Sequence, residues 1–73
     1  MNFPLDRLTD RLIRMAEVKH RTGLSRATIY RREAAGTFPM RVKIGANSVA
    51  WYESDIDRWV SDPSASLSLN QRK

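Results

Sequence analysis

A two-residue link, Gly23-Leu24, between two short helical segments limits the folds that are open to this chain. Glycine accepts the left-handed backbone conformation that commonly ends a helix, so Gly23 predicts the end of the first segment. Ser25 then offers its hydroxyl to the free backbone N–H groups of a second helix, which continues to Ala35 and ends at Gly36. Two short helices joined by so tight a turn predict a helix-turn-helix.

The chain after Pro39 changes to the alternating pattern of β-strands. Apolar residues alternate over 42–44 and again over 49–51, and the residues between these runs include Gly45 and Asn47, which favour a tight turn. The sequence therefore predicts a β-hairpin directly after the helix-turn-helix.

A third helix is predicted after the hairpin. Acidic residues from Glu53 onward suit the positive N-terminal end of a helix. Ile56, Trp59 and Val60 follow helical spacing and predict its buried stripe, and Pro63 marks its end.

These elements in this order predict a mostly α-helical domain with a small β-hairpin wing, the winged helix-turn-helix. A very short strand over 12–13 is also expected before the first helix. The predicted domain covers residues 11–62, with a flexible N-terminal segment at 1–10 and a flexible tail at 63–73. A chain of 73 residues has room for one domain only.

Composition excludes several other classes of protein. The chain has no cysteine, which excludes disulfides and thiolate metal sites and agrees with a reducing compartment. Its apolar runs fall far short of the roughly 20 residues that span a bilayer. The N-terminus, MNFPLDRLTDR, lacks the basic start and the apolar stretch of a secretory signal. We therefore expect a cytoplasmic protein with no membrane partner.

Positive charge is concentrated in the central third of the chain. The whole sequence carries a formal net charge of +5, from 13 basic and 8 acidic residues. The central third contains one acidic residue and seven basic ones, so that it carries +6: Lys19, Arg21, Arg26, Arg31, Arg32, Arg41 and Lys43. This concentration favours a polyanion partner, although ordinary solvated side chains explain the charge alone equally well.

The second helix is the candidate DNA-reading element. With Ile29 directed into the core, the rotation of about 100° per residue places Ala27, Arg31 and Ala34 on the opposite face. Small residues beside an arginine permit close approach to base edges, and arginine can bond guanine at two positions. The alternative is an ordinary amphipathic helix with exposed arginines.

Further polar residues complete the predicted DNA-contacting set. The first turn of the second helix suits phosphate, because its free N–H groups and the helix dipole favour anions. Basic and small polar residues of the hairpin can follow phosphates or enter a minor groove, unless the hairpin only closes the core. The predicted set is Ser25, Arg26, Ala27, Thr28, Tyr30, Arg31, Arg32, Arg41, Lys43 and Asn47.

The sequence contains no residue set typical of an enzyme or a cofactor site. His20 is the sole histidine, and without a cysteine or a second histidine it lacks partners for a metal. Asp55 and Asp57 project from a helix in different directions, which makes them poor partners for acid–base catalysis. Trp51 and Trp59 fit apolar stripes, so we expect them in the core and not in a platform for single-stranded nucleic acid. We expect no enzymatic activity, cofactor or metal.

Several motifs together carry a family resemblance. The most specific are Thr22-Gly23-Leu24-Ser25-Arg26 and Thr28-Ile29-Tyr30-Arg31, followed by Gly36, Phe38-Pro39, the hairpin VKIG…VAW, and Glu53-Ser54 leading to Asp57 and Trp59. On these motifs, residues 11–60 resemble the AlpA family of small phage and prophage regulators, which is related to excisionases and more distantly to MerR-type DNA-binding domains.

The resemblance implies a winged helix-turn-helix fold, a bacterial or prophage context, association with the nucleoid and DNA binding that controls transcription. The family's recognition helix corresponds to the segment that contains Ser25, Arg26, Thr28, Tyr30 and Arg31. One departure is Arg32-Glu33, where the family commonly has apolar residues. Either the helix is packed less deeply at this point, or Arg32 joins the DNA surface.

Three functions remain open from the sequence. The first is a sequence-specific transcriptional regulator, with residues 25–35 in the major groove and hairpin 42–51 as the wing. The second is an excisionase-like architectural factor that bends double-stranded DNA and recruits an integrase. The third is a protein–protein adaptor whose basic face meets an acidic partner. A dimer or a cooperative array on DNA is expected, because one small reading head rarely provides enough specificity.

Overall fold

The computed structural model describes residues 8–64. The elements in chain order are β1 (Leu12–Ile13), α1 (Met15–Thr22), α2 (Arg26–Ala35), β2 (Val42–Gly45), β3 (Ser48–Tyr52) and α3 (Glu53–Ser61). The predicted flexible segment 1–10 lies outside the described residues except for 8–10, and the predicted tail 63–73 lies outside them except for 63–64. None of the helices within 8–64 has the length and apolar character that crossing a bilayer requires.

The turn between α1 and α2 is fixed by the residues that the sequence singles out. Gly23 adopts the left-handed conformation at φ 75°, and its N–H donates to the Lys19 carbonyl at 2.8 Å. The Ser25 hydroxyl oxygen accepts the N–H of Thr28 at 3.2 Å and so caps α2. Leu24 between them packs against the core. Gly36, at φ 80°, ends α2 in the same left-handed conformation.

The three strands form one antiparallel sheet in the order β1-β3-β2. Ile13 pairs with Trp51 across β1 and β3, while Lys43 pairs with Val49 across β2 and β3. The hairpin β2–β3 is therefore joined to the chain segment immediately before α1. We call this hairpin, residues 42–52, the wing.

A single apolar core lies between the sheet and the three helices. Its buried members are Ile13, Met15, Val18, Ile29, Phe38, Trp51, Ile56 and Trp59. The Trp59 ring contacts Phe38 edge to face, with centroids 5.0 Å apart. Both tryptophans belong to the core, as the sequence predicts. This arrangement of helix-turn-helix, hairpin and closing helix is a winged helix-turn-helix.

The two indole N–H groups hold the connection between α2 and the wing. Trp59 donates to the Thr37 carbonyl at 3.0 Å, and Trp51 donates to the Pro39 carbonyl at 3.1 Å. Each bond satisfies a polar atom that the core would otherwise leave without a partner. The position of the wing relative to α2 is consequently set by the core itself.

The last helix differs from the sequence prediction in one residue. Ile56 and Trp59 are buried, but Val60 is 42% exposed, so its assignment to the buried stripe is wrong. Trp59 and Val60 lie on opposite sides of Ile56 around the helix, and the core is on the side of Trp59.

The first turn of α3 is bonded to Asp10, which precedes β1 in the chain. The Asp10 carboxylate accepts the Ser54 N–H at 3.1 Å and the Ser54 hydroxyl at 2.6 Å.

Candidate nucleic-acid interface

The exposed face of α2 has the composition that the sequence predicts. Ile29 is completely buried, while Ala27, Arg31 and Ala34 on the opposite side are exposed. The helix therefore presents one long cationic side chain between two methyl groups. Such a face can approach a nucleic-acid groove closely, because no bulky residue holds the helix away.

Hydrogen bonds at the start of α2 orient its polar side chains. The Ser25 hydroxyl donates to the Thr28 hydroxyl at 3.0 Å, and Arg31 donates from Nη2 to the same Thr28 oxygen at 3.2 Å. Arg26, in the first helical turn, is exposed and forms no ion pair within residues 8–64. A charged side chain is thus free beside the backbone N–H groups of the first turn.

An open groove separates the start of α2 from the wing. It has a volume of about 600 Å³, and we call it the basic groove. Its lining comes from the start of α1 and the residue before it, from α2, from the connection before β2 and from the wing: Arg14, Met15, Ala16, Arg26, Tyr30, Arg41, Lys43, Ala46, Asn47, Ser48 and Val49. Four of these residues are cationic and none is acidic. The lining of the basic groove therefore has the charge that favours an extended anion.

Arg41 stands in the basic groove with its charge already partnered. The Glu33 carboxylate, whose side chain is 2% exposed, accepts the Arg41 N–H at 2.7 Å and is also bonded to the Arg41 guanidinium. The same guanidinium lies over the Tyr30 ring, 4.9 Å from its centroid. The structure adds a third explanation for Arg32-Glu33 to the two that the sequence offers. Glu33 occupies a buried position because Arg41 neutralises it, and Arg32 is half-buried beside it.

A second group of basic residues lies away from the basic groove and is neutralised by α3. Arg21 binds Glu53 at 2.9 Å and also pairs with Asp57, and Arg11 binds Glu53 at 3.1 Å and Glu17 at 2.7 Å. The hydrogen bonds from Arg11 and then Arg21 lower the pKa of Glu53, and the bond to Glu53 raises the pKa of Arg11. These carboxylates, most of them on α3, therefore offset the charge of the two arginines.

Fewer basic residues of the central third carry an unpaired charge than the sequence count indicates. Arg21 and Arg41 have carboxylate partners, and the remaining basic residues of the central third form no ion pair with any residue in 8–64. The unpaired cations that line the basic groove are Arg14, Arg26 and Lys43.

Ten residues were predicted to contact DNA, and the structure divides them into two groups. The basic groove brings together Arg26, Tyr30, Arg41, Lys43 and Asn47. The others lie along α2 or at its cap, outside the lining of the groove: Ser25, Ala27, Thr28, Arg31 and Arg32. The two groups adjoin each other through Arg26 and Tyr30, which belong to α2 and line the groove.

Sequence reasoning missed Arg14, the residue directly before α1. Its Nε donates to the Val49 carbonyl of β3 at 3.1 Å, and its side chain lines the basic groove. The pairing of Ile13 with Trp51 places Arg14 beside the wing. The signal that could have found it is the short strand 12–13, since pairing that strand with the hairpin brings the next residue to the groove.

Fold and site together define a small winged helix-turn-helix protein with a cationic groove between its second helix and its wing. The sequence matches the family described as Prophage CP4-57 regulatory protein (AlpA) over residues 11–63. The chain therefore belongs to the AlpA family of prophage regulatory proteins, as its motifs predict.

Two relatives illustrate the match. A protein of Enterobacteria phage P4, named Uncharacterized protein ORF88, is 42% identical over 60 residues, which cover 81% of this chain and 68% of that protein. The DNA-binding transcriptional activator AlpA of Escherichia coli (strain K12) is 41% identical over 59 residues, which cover 70% of this chain and 81% of that protein. No solved structure gives a significant match.

Proposed function

We propose that the protein is a sequence-specific DNA-binding transcriptional regulator, in which α2 enters the major groove and the wing follows the adjacent backbone. The observation that carries the proposal is the exposed face of α2 beside a groove lined by four cations and no carboxylate. The naming of the Escherichia coli relative as a DNA-binding transcriptional activator supports the same function.

The dimensions of α2 agree with this role. Its 10 residues make a helix of about 15 Å at about 1.5 Å per residue. An α-helix with its side chains is about 10–12 Å in diameter, so it fits a major groove that is about 12 Å wide. Arg31, between Ala27 and Ala34, is in the position to bond base edges, whereas the residues of the first turn are suited to phosphate.

The predicted contact residues then take different roles. Arg31 reads bases, and Ala27 permits the close approach. Phosphate contacts come from the helix start, the half-buried Arg32 and the wing, that is, from Ser25, Arg26, Thr28, Arg32, Lys43 and Asn47. Arg41 holds the wing to α2 through Glu33 and supports Tyr30, whose hydroxyl is available to a phosphate.

One DNA-binding domain of this size covers few base pairs, so we propose that the protein binds DNA as a dimer or a cooperative array. The proposal predicts that a duplex with one half-site binds far more weakly than a duplex with two. Analytical ultracentrifugation of the complex gives the number of chains per duplex, and a single chain on the full site would contradict this part.

The proposed function is tested by selecting bound duplexes from a random DNA pool, followed by gel shifts with selected and random sequences. We expect one enriched motif and a large preference for it over random DNA. Absence of any shift, even at low salt and with genomic DNA, would instead favour an adaptor that binds an acidic protein.

A footprint on the DNA of the surrounding genome separates regulation from recombination. Protection of a promoter is the result that transcriptional regulation predicts. Protection of direct repeats beside an attachment site, with recruitment of an integrase, would indicate an excisionase-like architectural factor instead.

A further inference from the structure

Arg14 joins two elements that both border the basic groove. It precedes α1 in an extended conformation, with φ −92° and ψ 174°, and its Nε donates to the Val49 carbonyl in β3. A guanidinium has five N–H donors, so the bond from Nε leaves the four donors on the terminal nitrogens. Arg14 is exposed and has no carboxylate partner within residues 8–64.

The basic groove places three unpaired cations on three different elements. Arg14 comes from the segment before α1, Arg26 from the first turn of α2 and Lys43 from β2. The hydrogen-bonded wing and the packed helices fix the backbones of all three. Because the groove is open along the surface and lacks acidic residues, its shape and charge match a continuous phosphate backbone.

We propose that Arg14 is both a phosphate ligand and a positioning residue for the wing. Its Nε holds β3 at Val49, and its terminal nitrogens bind one phosphate of the DNA strand that lies in the basic groove. The inference rests on the proposed DNA-binding function and adds a residue to it. Arginine suits this double task because its rigid guanidinium fork can donate to a carbonyl and a phosphate at once, whereas a lysine ammonium acts as a point charge.

The test compares Arg14→Ala and Arg14→Lys with the wild type and with Lys19→Ala. Lys19→Ala is the matched control, since it removes one exposed, unpaired positive charge from α1 outside the basic groove. Binding is measured on the selected duplex and on random duplexes over a salt series, and circular dichroism melts verify that each variant is folded.

A phosphate ligand gives a defined result in these measurements. Arg14→Ala should weaken binding to both kinds of DNA about tenfold at low salt and make the slope of log K against log salt shallower by about 0.9. Arg14→Lys should restore the slope but only part of the affinity, because one ammonium cannot replace the forked contact. Lys19→Ala should leave the slope unchanged.

A neutral methylphosphonate, introduced at one DNA linkage at a time, separates contact from positioning. The wild type should lose affinity at one particular linkage, and Arg14→Ala should be insensitive to the same replacement. Equal sensitivity of wild type and Arg14→Ala at every linkage would show that Arg14 only supports the wing, and would overturn the inference while the proposed function stands. Failure of the wild type to bind any duplex would overturn both.

Discussion

The pairing of Arg41 with Glu33 should stabilise the fold, and its contribution is measurable with a double-mutant cycle. Arg41→Ala removes the guanidinium and leaves the Glu33 carboxylate, 2% exposed, with the Arg41 backbone N–H as its remaining partner. A hydrogen bond to a charged group contributes about 1.5–3 kcal/mol. Because the Arg41 side chain is 43% exposed, solvent screening favours the lower end of this range.

Loss of the contact between Arg41 and the Tyr30 ring adds about 0.5 kcal/mol, the value typical of an exposed cation–π pair. We therefore expect Arg41→Ala to lower the free energy of unfolding by about 2 kcal/mol. In the Glu33→Gln background the carboxylate is absent, and the same change should cost only about 1 kcal/mol, from the cation–π contact and an uncharged acceptor. The coupling energy between the two positions is then about 1 kcal/mol.

Urea unfolding at neutral pH, followed by the fluorescence of Trp51 and Trp59, measures the four free energies. Both reporters are buried in the core, so their signal follows global unfolding. The matched control is Arg26→Ala, which removes an arginine that has no ion pair within residues 8–64 and should leave the midpoint nearly unchanged. Additivity of the two substitutions within about 0.3 kcal/mol would refute the internal pair and return Arg41 to the DNA-contacting cations.

Two further predictions concern the core and the acidic helix. Trp59→Ala should unfold most of the protein, since truncating a buried aromatic costs about 3–5 kcal/mol and the Thr37 carbonyl loses its donor; a cooperative melt near the wild-type temperature would contradict this. Arg11 and Arg21 lower the pKa of Glu53 below its ordinary value of 4.5, so ionised Glu53 stabilises the fold at neutral pH. This stabilisation is lost as the pH falls through the pKa that Glu53 has in the folded state. Melts between about pH 6 and pH 3 should therefore decline more steeply in the wild type than in Glu53→Gln, and parallel curves would contradict the ion pairs.

The local elements of the fold could be predicted from the sequence because each carries its own signal. Gly23, Ser25 and Gly36 fix where α1 ends and where α2 begins and ends, and each acts through its own backbone or its nearest neighbours. The inward direction of Ile29 follows from helical periodicity. The exposed face of α2 was accordingly predictable as well.

Contacts between distant segments could not be predicted in this way. The burial of Glu33 depends on Arg41, eight positions later, and on a connection whose path is set by two indole N–H groups. The place of Arg14 in the basic groove depends on the register between β1 and β3. A count of charges along the chain does not include such pairings, so it overstates the unpaired positive charge of the central third.

We propose that α2 reads DNA with Arg31 toward the bases and Arg26 toward the phosphates. The most direct measurement is the affinity of Arg31→Ala and Arg26→Ala for the selected duplex and for random duplexes over a salt series. Arg31→Ala should cost about 1–3 kcal/mol on the selected duplex and much less on random DNA, so that discrimination is lost. Arg26→Ala should weaken both duplexes evenly and make the salt slope shallower by about 0.9. Unchanged binding of both variants would contradict the assignment of α2 as the DNA-reading helix.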